Sequence, residues 1–87
     1  MLDISLKTVD ENENEEIVKN HSFQDEGEAK DLYYKLTEDY SEQSVPFFEK
    51  GEKLIKIELV KKEPEEMDSE CYLEYSSELL DSLSERI

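Results

Sequence analysis

The chain of 87 residues carries 25 acidic and 10 basic side chains, a net charge of −15, and we expect residues 1–87 to form one domain with a thin hydrophobic core. This charge excludes nucleic acid and anionic membrane as direct partners, because both are bound through Lys and Arg. Two glycines and one cysteine exclude a glycine-rich phosphate loop, an internal disulfide and a multi-cysteine metal site.

The N-terminal part of the chain predicts a β-hairpin. Apolar and polar residues alternate over residues 2–9, which is the period of a half-buried strand. Residues 10–16 are too polar to be buried, and residues 17–23 have the composition of a second short strand. We therefore expect a hairpin with an acidic tip.

A helix is predicted over residues 26–41. Asp25 and Glu28 are spaced as in a capping box, in which a side-chain oxygen accepts from an orphan backbone N–H at the helix start. The helix should end before Pro46, because the residue before a proline is disfavoured in the helical conformation. Five apolar or aromatic residues recur at helical spacing on one face, namely Ala29, Leu32, Tyr33, Leu36 and Tyr40.

The C-terminal part predicts two further strands and a second helix. Alternation over residues 54–62 indicates the third strand, and the acidic, proline-containing segment 63–66 ends it. The next segment is ambiguous, because Cys71 and Leu73 alternate as in a strand whereas the leucines that follow suit a helix. We place a fourth strand at about 70–76 and a helix at about 77–86.

These elements predict an α+β fold in the order ββαββα. The expected architecture is a small four-stranded, mainly antiparallel sheet with the first helix across one face and a C-terminal helix. A weak internal repeat supports this order, because the pattern Ile4-x-Leu6 recurs as Ile55-x-Ile57. Duplication and chance similarity between two amphipathic strands both explain that repeat.

Catalysis and cofactor binding are not expected. The segment Asp10-x-Asn12-x-Asn14 imitates the start of a calcium loop, but Glu and His stand where that loop needs Gly and Glu. Cys71 and the single histidine, His21, would need nearby positive charge to form a thiolate–imidazole pair, and the acidic surroundings disfavour the thiolate. We expect no enzyme, no cofactor and no metal site.

Acidic residues form a regular row on the predicted first helix. Asp31, Glu38 and Glu42 lie at i, i+7 and i+11, with carboxylates about 5–11 Å apart along the axis, and Tyr34 lies between them. Such a row can imitate a phosphate backbone, and tyrosine is frequent at binding hot spots. A solvated face that keeps the protein soluble explains the row equally well. The predicted partner-binding residues are Asp31, Tyr34, Glu38, Glu42, Glu13, Glu15, Glu65 and Glu66.

Acidic side chains cluster at residues 10–16, 25–31 and 63–70. With these clusters, its size, its few Gly and Cys residues and its sheet-plus-helix plan, the chain resembles the small acidic proteins that phages carry against host defence, including anti-CRISPR inhibitors and other DNA mimics. The resemblance is one of kind and includes no family motif. It implies a non-enzymatic inhibitor that occupies a basic nucleic-acid channel on a nuclease or similar enzyme.

Two functional hypotheses follow from the sequence. The first is a non-enzymatic inhibitor whose acidic surface docks on a basic nucleic-acid-binding groove of a partner protein, without binding nucleic acid itself. The alternative is a small assembly module that homodimerises, or binds a partner, through an apolar face of the sheet. That face would contain Val9, Val18, Leu54, Val60 and Tyr72. Charge-driven binding weakens as salt rises, whereas apolar association does not.

Compartment and stability are also predicted. The sequence has no apolar run long enough to span a bilayer, and its N-terminus lacks the pattern of a signal peptide, so we expect a cytoplasmic protein, in the host cytoplasm if it is phage-encoded. Crowding of like charge predicts that moderate salt stabilises the fold and that mutual repulsion raises the proton affinity of the carboxylates.

Overall fold

A computed structural model describes residues 1–38 and 53–87 of the chain. The elements in chain order are β1 (Leu2–Asp10), β2 (Glu15–Phe23), α1 (Glu26–Thr37), β3 (Lys53–Lys61), β4 (Glu66–Glu74) and α2 (Ser77–Arg86). The four strands form one sheet in the order β2-β1-β3-β4, and each neighbouring pair is antiparallel. The α+β class and the order ββαββα are therefore confirmed.

The strand register places the two hairpin tips at opposite ends of the sheet. In the central pair, Leu2 lies opposite Lys61 and Asp10 lies opposite Lys53. The β1–β2 turn follows Asp10, whereas the β3–β4 turn follows Lys61 beside the N-terminus, where the Lys62 backbone N–H donates to the Met1 carbonyl. Nine residues at about 3.3 Å each put the two tips roughly 25–30 Å apart.

One face of the sheet carries the hydrophobic core. Alternation sends the even-numbered apolar residues of β1 and the odd-numbered apolar residues of β3 to the same face, where both helices pack. The buried core comprises Leu2, Ile4, Leu6, Ala29, Tyr33, Leu36, Ile55, Ile57, Leu59, Cys71, Leu73 and Leu83. The predicted packing of α1 on β1 and β3 is confirmed, although Leu32 is only partly buried.

Both helices begin at side-chain caps. The Asp25 carboxylate accepts from the backbone N–H groups of Gly27 and Glu28, at 2.9 and 3.3 Å, and thereby satisfies two orphan donors. In α2 the Ser76 hydroxyl accepts from the Leu79 N–H. Residues 39–41 of the predicted first helix lie outside the described residues, as do Tyr40 and Pro46.

The fourth strand begins earlier than predicted. It starts at Glu66, which lies opposite Lys61, so residues 66–69 belong to the sheet and not to the segment that interrupts it. Because β4 is an edge strand, its polar side chains remain in water while its backbone pairs with β3, and a polar composition therefore does not prevent pairing. The strand ends at Glu74, so Tyr75, which the prediction placed in the strand, lies between β4 and α2.

The two halves of the chain have the same plan. The elements β1, β2 and α1 begin at residues 2, 15 and 26, and β3, β4 and α2 begin at residues 53, 66 and 77, each 51 residues later. Leu6 pairs with Ile57, which stands 51 positions further along the chain. The two ββα units thus meet about a pseudo-two-fold axis between these two residues.

Candidate functional site

The sheet face opposite the helices, which we call the open face, is built from the remaining alternate positions. β1 contributes Asp3, Ser5 and Lys7, and β3 contributes Lys56 and Glu58. In the register of the sheet, Lys7 lies directly opposite Lys56, and Glu58 lies opposite Ser5. Two like charges directly opposite each other destabilise a sheet unless an opposite charge stands between them.

A network of five charged side chains resolves this conflict. The Lys7 ammonium lies 2.5 Å from a carboxylate oxygen of Glu58 and 3.9 Å from Glu15. The Lys56 ammonium lies 2.9 Å from Glu15, 3.5 Å from Glu58 and 3.6 Å from Glu70. The Glu58 side chain is only 5% exposed, so its charge depends on these two lysines for compensation.

The ionisation of the network follows from its contacts. The hydrogen bond from Lys56 lowers the pKa of Glu15, against the opposing effect of burial. Burial by itself would lower the pKa of Lys56, but the Glu15 hydrogen bond and the Glu58 charge outweigh it, so the pKa of Lys56 is raised. The predicted rise in carboxylate proton affinity is therefore wrong for Glu15. Local pairing outweighs the general repulsion at this carboxylate.

A concavity of about 620 Å³ lies beside this network on the open face. Its wall includes Asp3, whose side chain is only 7% exposed. One oxygen of this carboxylate, Oδ2, lies 3.7 Å from the Lys62 ammonium and accepts a long 3.5 Å hydrogen bond from the Asn20 amide. The other oxygen, Oδ1, is buried and has no hydrogen-bond partner among the described residues.

Most of the apolar patch predicted for this face is buried. Val9, Leu54 and Val60 are buried, and Tyr72 is only partly exposed, with the Lys56 ammonium 5.5 Å from the centre of its ring. Val18 is exposed but lies at an irregularity in the β1–β2 register. The sequence predicted an apolar patch here unless the terminal helix covered it. Helix α2 packs on the opposite face, and on the open face three of the five residues are buried while long charged side chains cross the centre.

The predicted helical row is exposed as far as the structure describes it. Asp31, Tyr34 and Glu38 are all exposed, and Tyr34 retains 57% of its surface in solvent. The edge of one ring meets the face of the other between Tyr33 and Tyr34, with centroids 5.8 Å apart, so the buried Tyr33 supports the outer ring. The fourth member, Glu42, lies outside the described residues.

The four acidic residues predicted to bind a partner at the hairpin tips lie at two separate ends of the sheet. Glu13 and Glu15 lie at one end of the sheet, and Glu65 and Glu66 lie at the other. Glu15 pairs with two lysines and Glu65 lies 3.8 Å from the Lys62 ammonium, whereas Glu13 and Glu66 are exposed and, within residues 1–38 and 53–87, have no ion-pair partner. These four carboxylates therefore do not form one surface.

Ion pairs are concentrated on one side of the molecule. Those between side chains of the described residues all involve Lys7, Lys56 or Lys62, at the open face and its β3–β4 end. Asp31 on α1 and Glu38 at its C-cap have no ion-pair partner among the residues that the structure describes. Lys30 and Lys35 lie on the same helix, but neither forms an ion pair with these two carboxylates within the described residues.

The residues considered for metal binding and catalysis in the sequence, Asp10, Cys71 and His21, lie in surroundings that give each a structural explanation. Asp10 accepts hydrogen bonds from the backbone of Asn14 and Asn12, both at 2.9 Å, which lowers the pKa of Asp10 and fixes the β1–β2 turn. Cys71 is buried on β4 and His21 lies on β2, so two strands separate them and their backbones are at least about 14 Å apart. A direct thiolate–imidazole pair is therefore excluded.

A search of residues 1–38 and 53–87 finds no group of three or more His, Cys, Asp or Glu side chains placed to hold a metal ion. Neither helix in these ranges is long and apolar enough to cross a membrane. Comparison with protein-family models, with curated proteins and with solved structures finds no match to the chain.

Proposed function

We propose that this protein is a non-enzymatic inhibitor that docks its acidic surface on the basic nucleic-acid-binding groove of a partner protein, in the manner of a DNA mimic. The observation that carries the proposal is the outer surface of α1, where Asp31 and Glu38 flank an exposed aromatic residue, Tyr34, and have no described ion-pair partner. A phage anti-defence role in the host cytoplasm is the setting that the resemblance of kind implies.

The separation of charges supports this proposal. Lys7, Lys56 and Lys62 are engaged with carboxylates at the open face, and Lys19 donates to the Ser84 carbonyl, so these four cations do not screen the outer surface of α1. A net charge of −15 attracts a basic partner over a distance and increases the rate of encounter.

Each component of the α1 surface has a separate role in binding. The carboxylates of Asp31 and Glu38 stand seven residues apart, about 10 Å along the helix axis, and would meet Lys or Arg side chains of the groove. Tyr34 would be buried between them as an anchor. Its rigid support by Tyr33 reduces the conformational entropy that binding costs.

The decisive experiment compares two doubly charge-reversed proteins in a pull-down from host lysate at low salt. Asp31→Lys with Glu38→Lys should lose the captured partner, whereas Asp81→Lys with Glu85→Lys, exposed changes on α2 with the same effect on net charge, should retain it. Added DNA should compete with the protein for that partner. An acidic partner, or capture that is unchanged from low to physiological salt, would refute the proposal.

Kinetics of the purified pair resolve the two contributions. Tyr34→Ala should mainly raise the dissociation rate, because it removes a buried anchor. The Asp31 and Glu38 reversals should mainly lower the association rate, because they weaken the attraction before contact. Equal effects of all three changes on dissociation would indicate a contact in which long-range charge has no part.

A further inference from the structure

We propose that the outer edge of β4 binds an extended segment of another protein, which adds to the sheet as a fifth strand and carries Lys or Arg at alternate positions. The strand order β2-β1-β3-β4 places β4 at the margin, and among the described residues only the backbone of β3 pairs with it. An edge strand directs a row of backbone N–H and C=O groups away from the sheet, where another strand can pair. This edge is separate from the outer surface of α1 and does not depend on the function proposed for that surface.

Six residues of β4 form an uninterrupted pairing edge. The register with β3 is regular from Ser69 to Glu74. It shifts between Leu59 and Val60, so Asp68 has no opposite residue. Such a bulge interrupts the ladder locally, and the usable edge therefore lies on its C-terminal side. Six residues extend over about 20 Å, which is the length of an ordinary strand.

The charge beside this edge selects a basic partner. Residues 63–85 contain nine acidic side chains and no Lys, Arg or His, so more than half of the net charge of −15 lies in β4, the turn before it and α2. Within residues 1–38 and 53–87, only Glu65 and Glu70 of these nine form ion pairs. A second copy of the chain is disfavoured here, because antiparallel pairing of two β4 strands would bring carboxylates of the two copies opposite each other.

The ion-pair network of the open face lacks a cation at this edge. It contains three carboxylates, those of Glu15, Glu58 and Glu70, but only two ammonium groups. Lys56 donates to Glu15 at 2.9 Å and lies 3.6 Å from Glu70, the member on β4, which has no other cation in the network. A Lys or Arg side chain on an added strand would lie beside Glu70 at the strand spacing of about 4.8 Å and would complete the network.

The two faces of β4 determine which side chains the added strand should carry. Glu70, Tyr72 and Glu74 lie on the open face in the register with β3. Cys71 and Leu73 lie on the helix-covered face and belong to the buried core. Alternate side chains of an added strand would therefore meet carboxylates on one face and the margin of the core on the other. The expected ligand alternates basic with apolar residues.

The test is a titration of the isotope-labelled full chain with an acetylated and amidated hexapeptide of alternating lysine and valine, followed by amide chemical shifts. We expect saturable shifts that are largest over residues 69–74, and no saturable shift with the hexapeptide of alternating glutamate and valine. A hexapeptide of three lysines followed by three valines has the same charge and should bind about tenfold more weakly, because it lacks the alternation. Equal binding of the two lysine peptides, or largest shifts on β2, would overturn the inference.

N-methylated peptides test whether the backbone pairs. Alternate residues of a docked strand direct their N–H groups toward β4, and the others direct them into solvent. Methylation of the backbone nitrogens at either the lysines or the valines of the alternating peptide should therefore abolish saturable binding in one of the two peptides and leave it in the other. Equal binding by both methylated peptides would show that only side-chain charge attracts them, and would refute an added strand.

Two double variants locate the site on β4. Glu70→Gln with Glu74→Gln should weaken binding of the alternating lysine peptide about fivefold, because two exposed carboxylates beside the added strand are lost. Glu13→Gln with Glu28→Gln makes the same change in net charge at exposed positions elsewhere and should alter binding much less. Equal effects of the two would contradict a site at β4. If the first variant fails to fold, the peptide series on the unaltered chain still decides.

Discussion

The two faces of the sheet bury their side chains by different means. On the helix-covered face, Leu6, Ile57 and their neighbours pack against apolar side chains of both helices. The removal of this apolar surface from water drives the packing. On the open face, Glu58 is almost equally inaccessible, yet it is charged and is held by Lys7 and Lys56. One face relies on a non-directional force, and the other relies on specific partners.

The difference between the two faces shows which part of the folding problem polar groups solve when the hydrophobic core is small. The stability of an apolar core tolerates changes of side-chain shape as long as the total volume is kept. Removing either partner of a buried ion pair is strongly destabilising, because the other charge is left buried without compensation. The network also fixes the register of the two central strands, because a shift of β3 by one residue would move Lys56 and Glu58 to the apolar face. The open face therefore contributes specificity of pairing while the other face contributes most of the stability.

Truncation on the helix-covered face should give the largest effect. Leu36 is fully buried between α1 and the sheet, so Leu36→Ala should lower the free energy of unfolding by about 2–5 kcal/mol in urea denaturation. Ile17→Ala, on an exposed side chain, is the control and should cost less than about 0.5 kcal/mol. A cost for Leu36→Ala as small as that of the control would mean that α1 does not cover the core.

Removal of the central carboxylate of the open face should come next. Glu58→Gln removes the carboxylate nearest to Lys7 and leaves Lys7 and Lys56 to share Glu15, and it should cost about 3 kcal/mol. The double variant Lys7→Met with Glu58→Met should be closer in stability to the unaltered protein, because Lys56 keeps Glu15 and Glu70. Equilibrium unfolding of both variants makes the comparison, and a double variant less stable than the single one would show that the ion pair itself stabilises the fold.

Periodicity made the fold predictable. The alternation around Ile4 and Ile57 and the helical spacing around Leu36 each matched one buried face, and the Asp25 cap marked the start of α1. The start of β4 was not predictable in this way, because residues 66–69 enter the sheet through backbone pairing, which a polar edge strand permits.

The open face shows why a site is harder to predict than a fold. The alternation of Lys56 and Glu58 on the third strand is visible in the sequence, but their partners Lys7 and Glu15 are known only once the register is known. The same applies to Asp3, because its place in the alternation predicts only an ordinary polar position of a strand. Its environment depends on residues that lie far away along the chain.

Lowering the pH should weaken the ion-pair network of the open face through Glu15, with a smaller effect on the free energy of unfolding than the two substitutions above. The pKa of Glu15 is lowered in the folded protein, so its stabilising contribution is present above the ordinary value of about 4.5 and is lost as pH falls through the folded value. The difference in unfolding free energy between the unaltered protein and Glu15→Gln should therefore be largest near neutral pH and shrink in acid.

The control for this experiment is Glu13→Gln, at an exposed carboxylate of the same turn. Its difference from the unaltered protein should be small at every pH. A Glu15→Gln difference that is constant from neutral to acid pH would mean that the ion pair with Lys56 does not form in solution. At high pH the prediction concerns Lys56. Because the pKa of Lys56 is raised in the folded protein, its contribution to stability is complete below the ordinary lysine value and is lost as pH rises above that value.

Salt should give the smallest effect, because the two kinds of charge respond in opposite directions. Repulsion within a net charge of −15 is largely between exposed groups and is screened, whereas the partly buried pairs of Lys7, Lys56 and Glu58 are screened much less. Raising NaCl from about 20 mM to about 0.5 M should therefore raise the melting temperature, by about 2–4 °C. The variant with Asp31→Lys and Glu38→Lys, whose net charge changes from −15 by four to −11, should show a smaller rise. A melting temperature that falls with salt would mean that the ion pairs of the open face outweigh the repulsion over the rest of the molecule.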